Sequence, residues 1–194
     1  MFDEFKVEKA VELLLDGFGV ERTGNDLEET PRRVTGYWKE LLEGQHMTNE
    51  QIAQKYGKLF EVDSNPLVVR KVENVFSHCE HHLALMYNMT VTVAYLPVQA
   101  QNGKYKVLGL SKIPRIVQLC AKRLQLQERL AQDIAECIQL AAGTQDVFVN
   151  IVGDHACVSA RGASSQGITD VTALKGRFLN DEKLRAEIER KVTL

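Results

Sequence analysis

Residues 77–82 read SHCEHH and hold three imidazoles, a thiol and a carboxylate within six positions. A second group, DHAC at residues 154–157, adds an imidazole and a thiol much later in the chain. Zinc prefers thiolate and imidazole ligands, and catalytic zinc usually has three protein ligands and an open position for water. Cys79, His82 and Cys157 would supply such a set if the fold brings the two groups together.

A metal is not the only explanation of these two groups. A single C-x-x-H pair is a weak signal, and buried free cysteine is common in protein cores. The second group favours a metal, and the lack of an obvious fourth ligand favours a catalytic site over a closed structural one. His81 and His155 would then remain for general acid or base work beside a metal-bound water. Without a metal they would be ordinary exposed or hydrogen-bonded histidines at strand ends.

A third chemical segment, SKIPR at residues 111–115, opens a predicted helix with Ser111 as its N-cap. Two cations, Lys112 and Arg115, fall in the first turn, where the helix dipole disfavours positive charge. A bound anion would remove this conflict, because free N–H groups at a helix start bind phosphate. Arg161 and Arg33 are further candidates for phosphate contacts. The alternative is a solvated basic surface.

Gln127 and Glu128 stand where the second of two central helices is predicted to begin. An amide and a carboxylate at this position could bind the edge of a guanine base, which presents N–H donors. The alternative is that Glu128 is simply a glutamate favoured at a helix N-terminus by the helix dipole.

The first part of the chain is predicted to be helical. Residues 3–18 have apolar side chains at helical spacing, and a second helix is predicted to begin at Thr30-Pro31. A third short helix is predicted over residues 49–56. These helices form a predicted arm over residues 1–60.

The character of the chain changes at Pro66, where strands are predicted to begin. LVVRKVENVFSH and MTVTVAYLP are typical of strands, and Asn102-Gly103 is typical of a hairpin turn. A helical region from Ser111 to about Ala142 is predicted to break near residues 124–127. DVFVNIVGDHACVSARG predicts two more strands with a turn near Gly153. A charged surface helix is predicted over residues 180–192.

This order of elements predicts an α+β fold, with a four-stranded antiparallel sheet and two helices on one face. The sheet and its helices would form a catalytic domain over residues 61–194, preceded by the helical arm.

Composition limits the classes of function. The formal net charge of -2 argues against a general nucleic-acid binder, which usually has a basic excess. No apolar run approaches the ~18 residues of a membrane span. The acidic N-terminal segment does not resemble a signal peptide, so a cytoplasmic location is expected, and disulfides between the four cysteines are not.

Four motifs of the chain occur in the same order and spacing in a known protein family. They are CEHH at residues 79–82, GLSKI at 109–113, QERL at 127–130 and HACVSARG at 155–162. The segment LEETPRRVTGYWKELLEG of the arm is similar too. Over roughly residues 8–178 the chain resembles GTP cyclohydrolase I.

The resemblance implies a tunnelling fold, in which subunits join their sheets into barrels and stack as a toroidal homodecamer with active sites between subunits. It implies zinc as cofactor and GTP as substrate, which reacts with water to give formate and 7,8-dihydroneopterin triphosphate. This reaction is the first step of folate and pterin biosynthesis.

The resemblance also implies a role for each candidate residue. Zinc would be held by Cys79, His82 and Cys157, and His81 and His155 would form the acid–base pair. Glu128, with Gln127, would hold guanine. The triphosphate or ribose side of the substrate would be met by Ser111, Lys112, Arg115, Arg161 and Arg33, with Ser111 counted among the catalytic residues.

Three other functions compete with this hypothesis. The nitrile reductase of queuosine synthesis shares the fold but uses a cysteine nucleophile and NADPH, and its E-S-K-S-type motif is not visible in this chain. A purine-ring hydrolase could stop at a formylated pyrimidine. A non-catalytic zinc-binding assembly protein would need neither His81, His155 nor Glu128, whose presence argues against it.

Overall fold

A computed structural model describes residues 1–21 and 26–192 of the chain. Its α-helices are α1 (Glu4–Gly17), α2 (Thr30–Leu41), α3 (Asn49–Tyr56), α4 (Lys112–Ala121), α5 (Gln127–Ala142), α6 (Ala156–Ser159) and α7 (Glu182–Val192). Its strands are β1 (Leu59–Val62), β2 (Val68–Cys79), β3 (Leu85–Tyr95), β4 (Val98–Gln99), β5 (Tyr105–Leu108), β6 (Leu124–Gln125), β7 (Val147–His155) and β8 (Thr169–Leu174). A 3-10 turn covers Gly176–Leu179.

The three predicted helices of the arm are confirmed, and local capping explains where two of them begin. The side chain of Asp3 accepts a hydrogen bond from the N–H of Lys6 at the start of α1. Thr48 and Gln51 form a reciprocal capping box at the start of α3. Ile52 of α3 is fully buried in the main core, so the last helix of the arm already packs with the rest of the chain. The predicted boundary at residue 60 stays a prediction.

The main sheet has the strand order β6-β2-β3-β7-β8. The pairs β2–β3, β3–β7 and β7–β8 are antiparallel, and the two-residue β6 pairs in parallel with β2. The α+β class and the break near residues 124–127 are therefore confirmed. The prediction of a four-stranded, wholly antiparallel sheet was wrong by one strand, because the break between α4 and α5 is itself extended and joins the edge of the sheet.

The predicted turn near Gly153 is wrong. β7 continues through Gly153 to His155, and the fourth antiparallel strand is β8, seven residues beyond Gly162. A Cβ at Gly153 would stand 2.4 Å from Cγ of Met89 on the neighbouring strand. This glycine therefore permits close approach of two strands, which is the other common reason for a glycine within a strand.

Two β-bulges bend the sheet between β2 and β3, toward the end of β2 that carries Cys79. The register between β2 and β3 shifts around Asn74 and again around Asn88, and both residues have positive φ. The register between β3 and β7 shifts at the same part of β3, between Tyr87 and Thr90. A bulge adds one residue to one strand and bends it, so the side chains beyond it change their alternation relative to the partner.

Helices α4 and α5 cover one face of the sheet, as predicted, and together with it they enclose the main core. The other face carries a smaller cluster in which Ala94 of β3 packs with Phe178 and with Ile188 of α7. The charged C-terminal helix therefore has one buried contact with the sheet.

A small sheet of order β1-β5-β4 stands beside the main one. β4 and β5 form the hairpin predicted at Asn102-Gly103, where Gly103 has a φ of 81°. β1 pairs with β5 and was not predicted. Within residues 1–21 and 26–192, no helix combines the length and the apolar character that crossing a membrane requires.

Candidate metal centre and active site

Cys79 is the last residue of β2, and a tight turn follows it. The N–H of Cys79 donates to the carbonyl of Ala84 (2.8 Å), and the N–H of Glu80 donates to the carbonyl of Gln125 (3.1 Å). These bonds tie the turn to β6 on one side and to the start of β3 on the other. His81 and His82 are thereby held beside Cys79.

His155 and Cys157 lie at the end of β7. His155 is the last residue of the strand and pairs with Met86 of β3, while Cys157 lies in the short helix α6. β2 and β7 are each antiparallel to β3, which lies between them, so both run in the same direction. The carboxyl ends of β2 and β7 therefore lie at the same end of the sheet, which brings residues 77–82 and 154–157 together.

Cys79, His82 and Cys157 place one ligand atom each within 4.8 Å of one another. The Sγ of Cys79 lies 4.0 Å from Nδ1 of His82. Tetrahedral zinc would place such atoms about 3.5–3.8 Å apart, so small side-chain movements suffice. The soft sulfur and imidazole donors, with one exposed side at His82, fit a three-ligand zinc site. Burial, and then the nearby Cys79 thiol, raise the pKa of Cys157.

The two other histidines lie at the same edge. Nδ1 of His81 is 3.9 Å from Sγ of Cys79, and the ring is exposed. His155, two residues before Cys157, is half-buried. Its Nε2 lies 2.6 Å from Oε1 of Gln127, which is 1% exposed. The three candidate zinc ligands and two further imidazoles therefore lie in one site.

Two further candidates are next to this group. The guanidinium of Arg161 lies 3.4 Å from Nε2 of His82, which places a cation at the open side of the metal cluster. Glu128 is exposed in the first turn of α5, directly after Gln127.

Helix α4 runs in the same direction as β2, so its two ends lie near opposite ends of that strand. At its end, the carbonyl of Ala121 accepts a hydrogen bond from Oγ of Ser77 (2.7 Å), two residues before Cys79. Its start follows Leu108, whose N–H donates to the hydroxyl of Tyr95 (2.8 Å). Tyr95 pairs with Val68 at the beginning of β2. The start of α4 therefore lies away from the metal ligands.

Ser111, Lys112 and Arg115 stand at that distant start. The 10 residues of α4 span roughly 15 Å at the usual rise per residue. Within one chain these groups therefore do not join the metal cluster. Ser111 occupies the predicted N-cap position, but its side chain makes no capping hydrogen bond. Arg115 lines a cavity of about 190 Å³ whose other lining residues include Glu43 and Lys122.

Arg33 lies on α2 and forms an ion pair with Glu29 (2.9 Å). It precedes Tyr37 by one helical turn, so both side chains lie on one face of the helix. The hydroxyl of Tyr37 in turn contacts His78, the residue before Cys79. Arg33 is thus on the face of the arm that is directed toward the metal turn.

Sequence reasoning missed the side chains that hold the metal turn in place. Glu80 forms an ion pair with Arg129 of α5, which also donates to Oε1 of Gln125 (2.9 Å). Glu80 and Arg129 are 49 residues apart along the chain, and no spacing rule connects them. The remaining thiols, Cys120 and Cys137, are fully buried between α4 and α5, 3.5 Å apart, and belong to the core.

Comparison with known proteins identifies the family. A family model described as GTP cyclohydrolase I matches residues 7–193. The "GTP cyclohydrolase 1" of Clostridium acetobutylicum is 41% identical over 189 residues, which cover 94% of this chain and 93% of the relative. The enzyme of the same name from Clostridium botulinum (strain Kyoto) is 42% identical, over 90% of this chain and 90% of the relative. That of Clostridium beijerinckii is 39% identical, over 95% of this chain and 94% of the relative. The chain therefore belongs to the GTP cyclohydrolase I family of enzymes.

Proposed function

We propose that this chain is a zinc-dependent hydrolase that converts GTP and water to formate and 7,8-dihydroneopterin triphosphate, the first step of folate and pterin biosynthesis. The observation that carries the proposal is the cluster of Cys79, His82 and Cys157, beside which His81 and His155 lie. A metal set with acid–base groups next to it suits hydrolysis of a purine ring, and family membership supplies the substrate.

Cys79, His82 and Cys157 would hold the zinc ion. When bound, zinc supplies Lewis acidity and lowers the pKa of a water molecule at its fourth position. His82 is exposed, whereas Cys79 is buried, so the substrate would approach from the side of His82. Arg161, which lies beside His82, would meet negative charge on the substrate from that side.

His155 and His81 would move protons during opening of the ring. The attack of water at C8 of guanine needs a base for the water proton and an acid for the ring nitrogen that leaves C8. A histidine near neutral pH can take either role at little cost. His155 is held by Gln127 and His81 is exposed, so the two imidazoles offer one fixed and one freer proton carrier.

Glu128 would bind the guanine edge. Its carboxylate is exposed in the first turn of α5, next to the residue that holds His155. A carboxylate accepts hydrogen bonds from two adjacent N–H donors, which is the pattern that the N1 and exocyclic amine of guanine present. The family resemblance assigns Gln127 to guanine as well, but its three hydrogen bonds within the protein leave it little capacity for a ligand.

The triphosphate would be bound by Lys112 and Arg115, with Ser111 near the ribose and Arg33 as a further cation. Since the start of α4 lies roughly 15 Å from its end near Cys79, these groups would reach the metal cluster of another copy of the chain. This distance supports active sites formed between subunits and therefore a ring-shaped homo-oligomer, which we propose to be the decamer that the family resemblance implies.

The proposal is tested by incubating the zinc-loaded protein with GTP and measuring formate and pterin fluorescence together. Equal amounts of formate and pterin support the complete reaction. Consumption of GTP with neither product would indicate a hydrolase that stops at the formylated pyrimidine. Unchanged GTP, with zinc bound, would contradict the proposed function.

A further inference from the structure

Gln127 is a buried amide that contacts His155 from the first position of α5. Its Nε2 donates to the backbone carbonyls of Ile151 (2.8 Å) and Thr169 (3.1 Å), on β7 and β8. Its Oε1 lies 2.6 Å from Nε2 of His155. The side chain is 1% exposed, so water does not compete for these bonds.

The two carbonyl contacts establish which end of the amide is which. A backbone carbonyl oxygen only accepts hydrogen bonds, so the end of Gln127 that meets both Ile151 and Thr169 must be the NH₂ group. The reverse orientation would place an oxygen against two oxygens. Oε1 therefore faces His155.

An amide oxygen also only accepts, so the ring nitrogen that it contacts must have a hydrogen. Nε2 of His155 is consequently the N–H nitrogen whether the ring is neutral or charged. We infer that Gln127 is a positioning residue that holds the His155 ring in one orientation, with Nε2 as the hydrogen-bond donor to Oε1 of Gln127 and Nδ1 as the nitrogen left available to the substrate. This inference rests on the proposed role of His155 in opening the ring.

The backbone around His155 is held as firmly as the ring. Residue 155 pairs with Met86 of β3, and its carbonyl accepts a hydrogen bond from Oγ of Ser159 (3.1 Å). With the backbone fixed by the sheet and Nε2 fixed by Gln127, the direction of Nδ1 is set as well. Hydrogen-bond partners that orient metal-binding histidines change metal affinity or activity about 10- to 100-fold when they are removed, and we expect an effect of the same order at Gln127.

The competing role for Gln127 is direct contact with guanine. The two roles differ in the kinetic constant that they control. Loss of a base contact weakens binding and raises KM, whereas loss of ring orientation lowers kcat at nearly constant KM. Glu128→Gln, at the neighbouring exposed carboxylate, provides the comparison because it should mainly raise KM.

The experiment compares zinc-loaded wild type with Gln127→Met, Gln127→Glu and Gln139→Met. Methionine has similar length but forms no comparable hydrogen bond, so Gln127→Met should lower kcat about 10- to 100-fold with little change in KM and full zinc content. A protonated glutamic acid keeps an oxygen toward Nε2, so Gln127→Glu should recover much of the loss. The side chain of Gln139, on the same helix, donates a hydrogen bond to the carbonyl of Gln145 (3.0 Å) and lies outside the site, so Gln139→Met should match wild type.

A spectroscopic measurement tests the orientation without reference to activity. In protein labelled with ¹⁵N-histidine, with His155 assigned by its loss in His155→Ala, wild type should show the hydrogen on Nε2, and Gln127→Met should show a mixture of both tautomers. A bare Nε2 in wild type, or a raised KM with unchanged kcat in Gln127→Met, would overturn the inference. A wild type that fails to open GTP would instead contradict the proposed function, and the nitrogen spectra would still decide the role of Gln127.

Discussion

The hydroxyl of Tyr37 shares a 2.7 Å hydrogen bond with Nε2 of His78. Tyr37 belongs to α2 of the arm, and His78 is the residue before Cys79. The ring of Trp38 packs against the same imidazole at 4.7 Å. Burial lowers the pKa of His78, so the neutral ring is favoured between these aromatic partners. The arm is therefore in direct contact with the strand end that carries the metal turn.

Tyr37→Phe removes this hydrogen bond and keeps the ring. We expect the free energy of unfolding to fall by about 0.5–1.5 kcal/mol, the usual value of one hydrogen bond. Amide hydrogen exchange in α2 should become faster, because the arm loses a fixed contact. Tyr105→Phe, in the small sheet, is the control and should leave α2 unchanged. Equal exchange rates in wild type and Tyr37→Phe would show that this bond does not hold the arm.

Cys157→Ser tests the metal centre. A serine hydroxyl is a poor zinc ligand, so zinc content should fall from about one ion per chain to near none, and activity should be lost with it. Elemental analysis of purified protein measures this directly. Cys120→Ala removes a core thiol outside the cluster and should keep its zinc. Full zinc content in Cys157→Ser would exclude Cys157 as a ligand.

Co-expression of Cys157→Ser with Lys112→Ala tests whether one active site uses two chains. Each variant alone should have little activity at low GTP concentration, the first through loss of metal and the second through weak binding of phosphate. Random mixing should restore about a quarter of the sites. An active site needs its metal ligands from a Lys112→Ala chain and its Lys112 from a Cys157→Ser chain, and each of these conditions is met about half of the time. No recovery of activity in mixed assemblies would contradict a site shared by two chains. It would mean either that Lys112 and Cys157 of the same chain serve one site, or that the two residues do not serve the same site.

His155→Ala should stop the reaction early. Pterin should vanish and formate should fall by about 10²–10⁴-fold, the usual contribution of an acid–base group. Any accumulated product should be the ring-opened nucleotide that still has its formyl group, which mass analysis identifies. Zinc should stay bound, because His155 is outside the proposed ligand set. Release of formate at the wild-type rate without pterin would instead place His155 after deformylation.

Tyr95→Phe tests the contact that fixes the start of α4. The fully buried hydroxyl of Tyr95 accepts a hydrogen bond from the N–H of Leu108, so its loss leaves a buried donor unpaired and should cost about 1–3 kcal/mol near pH 7. Burial raises the pKa of Tyr95 above its ordinary value of 10.0. The unfolded chain therefore loses this proton first, and wild-type stability should fall as the pH rises above 10.

The variant lacks this titrating group. Urea unfolding at pH 7 and above pH 10 should thus show a smaller difference between wild type and Tyr95→Phe at the higher pH. A constant difference would mean that Tyr95 ionises equally in both states.

Local patterns in the sequence determined most of the helices and the chemical types of the site. Apolar spacing and capping residues such as Thr48 act within one or two turns, so α1 and α3 could be predicted from them. Cys79, His82 and Cys157 could be chosen as candidate ligands because thiol and imidazole chemistry does not depend on the fold. The motifs around these residues also indicated the family, which the comparisons confirmed.

Only the tertiary structure decided which groups meet. Cys79 and Cys157 share a site because β2 and β7 run parallel on either side of β3, and nothing within either segment encodes that relation. A turn was wrongly predicted at Gly153. A glycine is needed there because Met89 of the neighbouring strand approaches closely, and this contact cannot be seen in the local sequence. The separation of Lys112 from the metal cluster follows from the direction of α4 over the sheet. In each case the deciding contact joins residues distant along the chain, where the packing of strands and helices sets the distance and local preference has no influence.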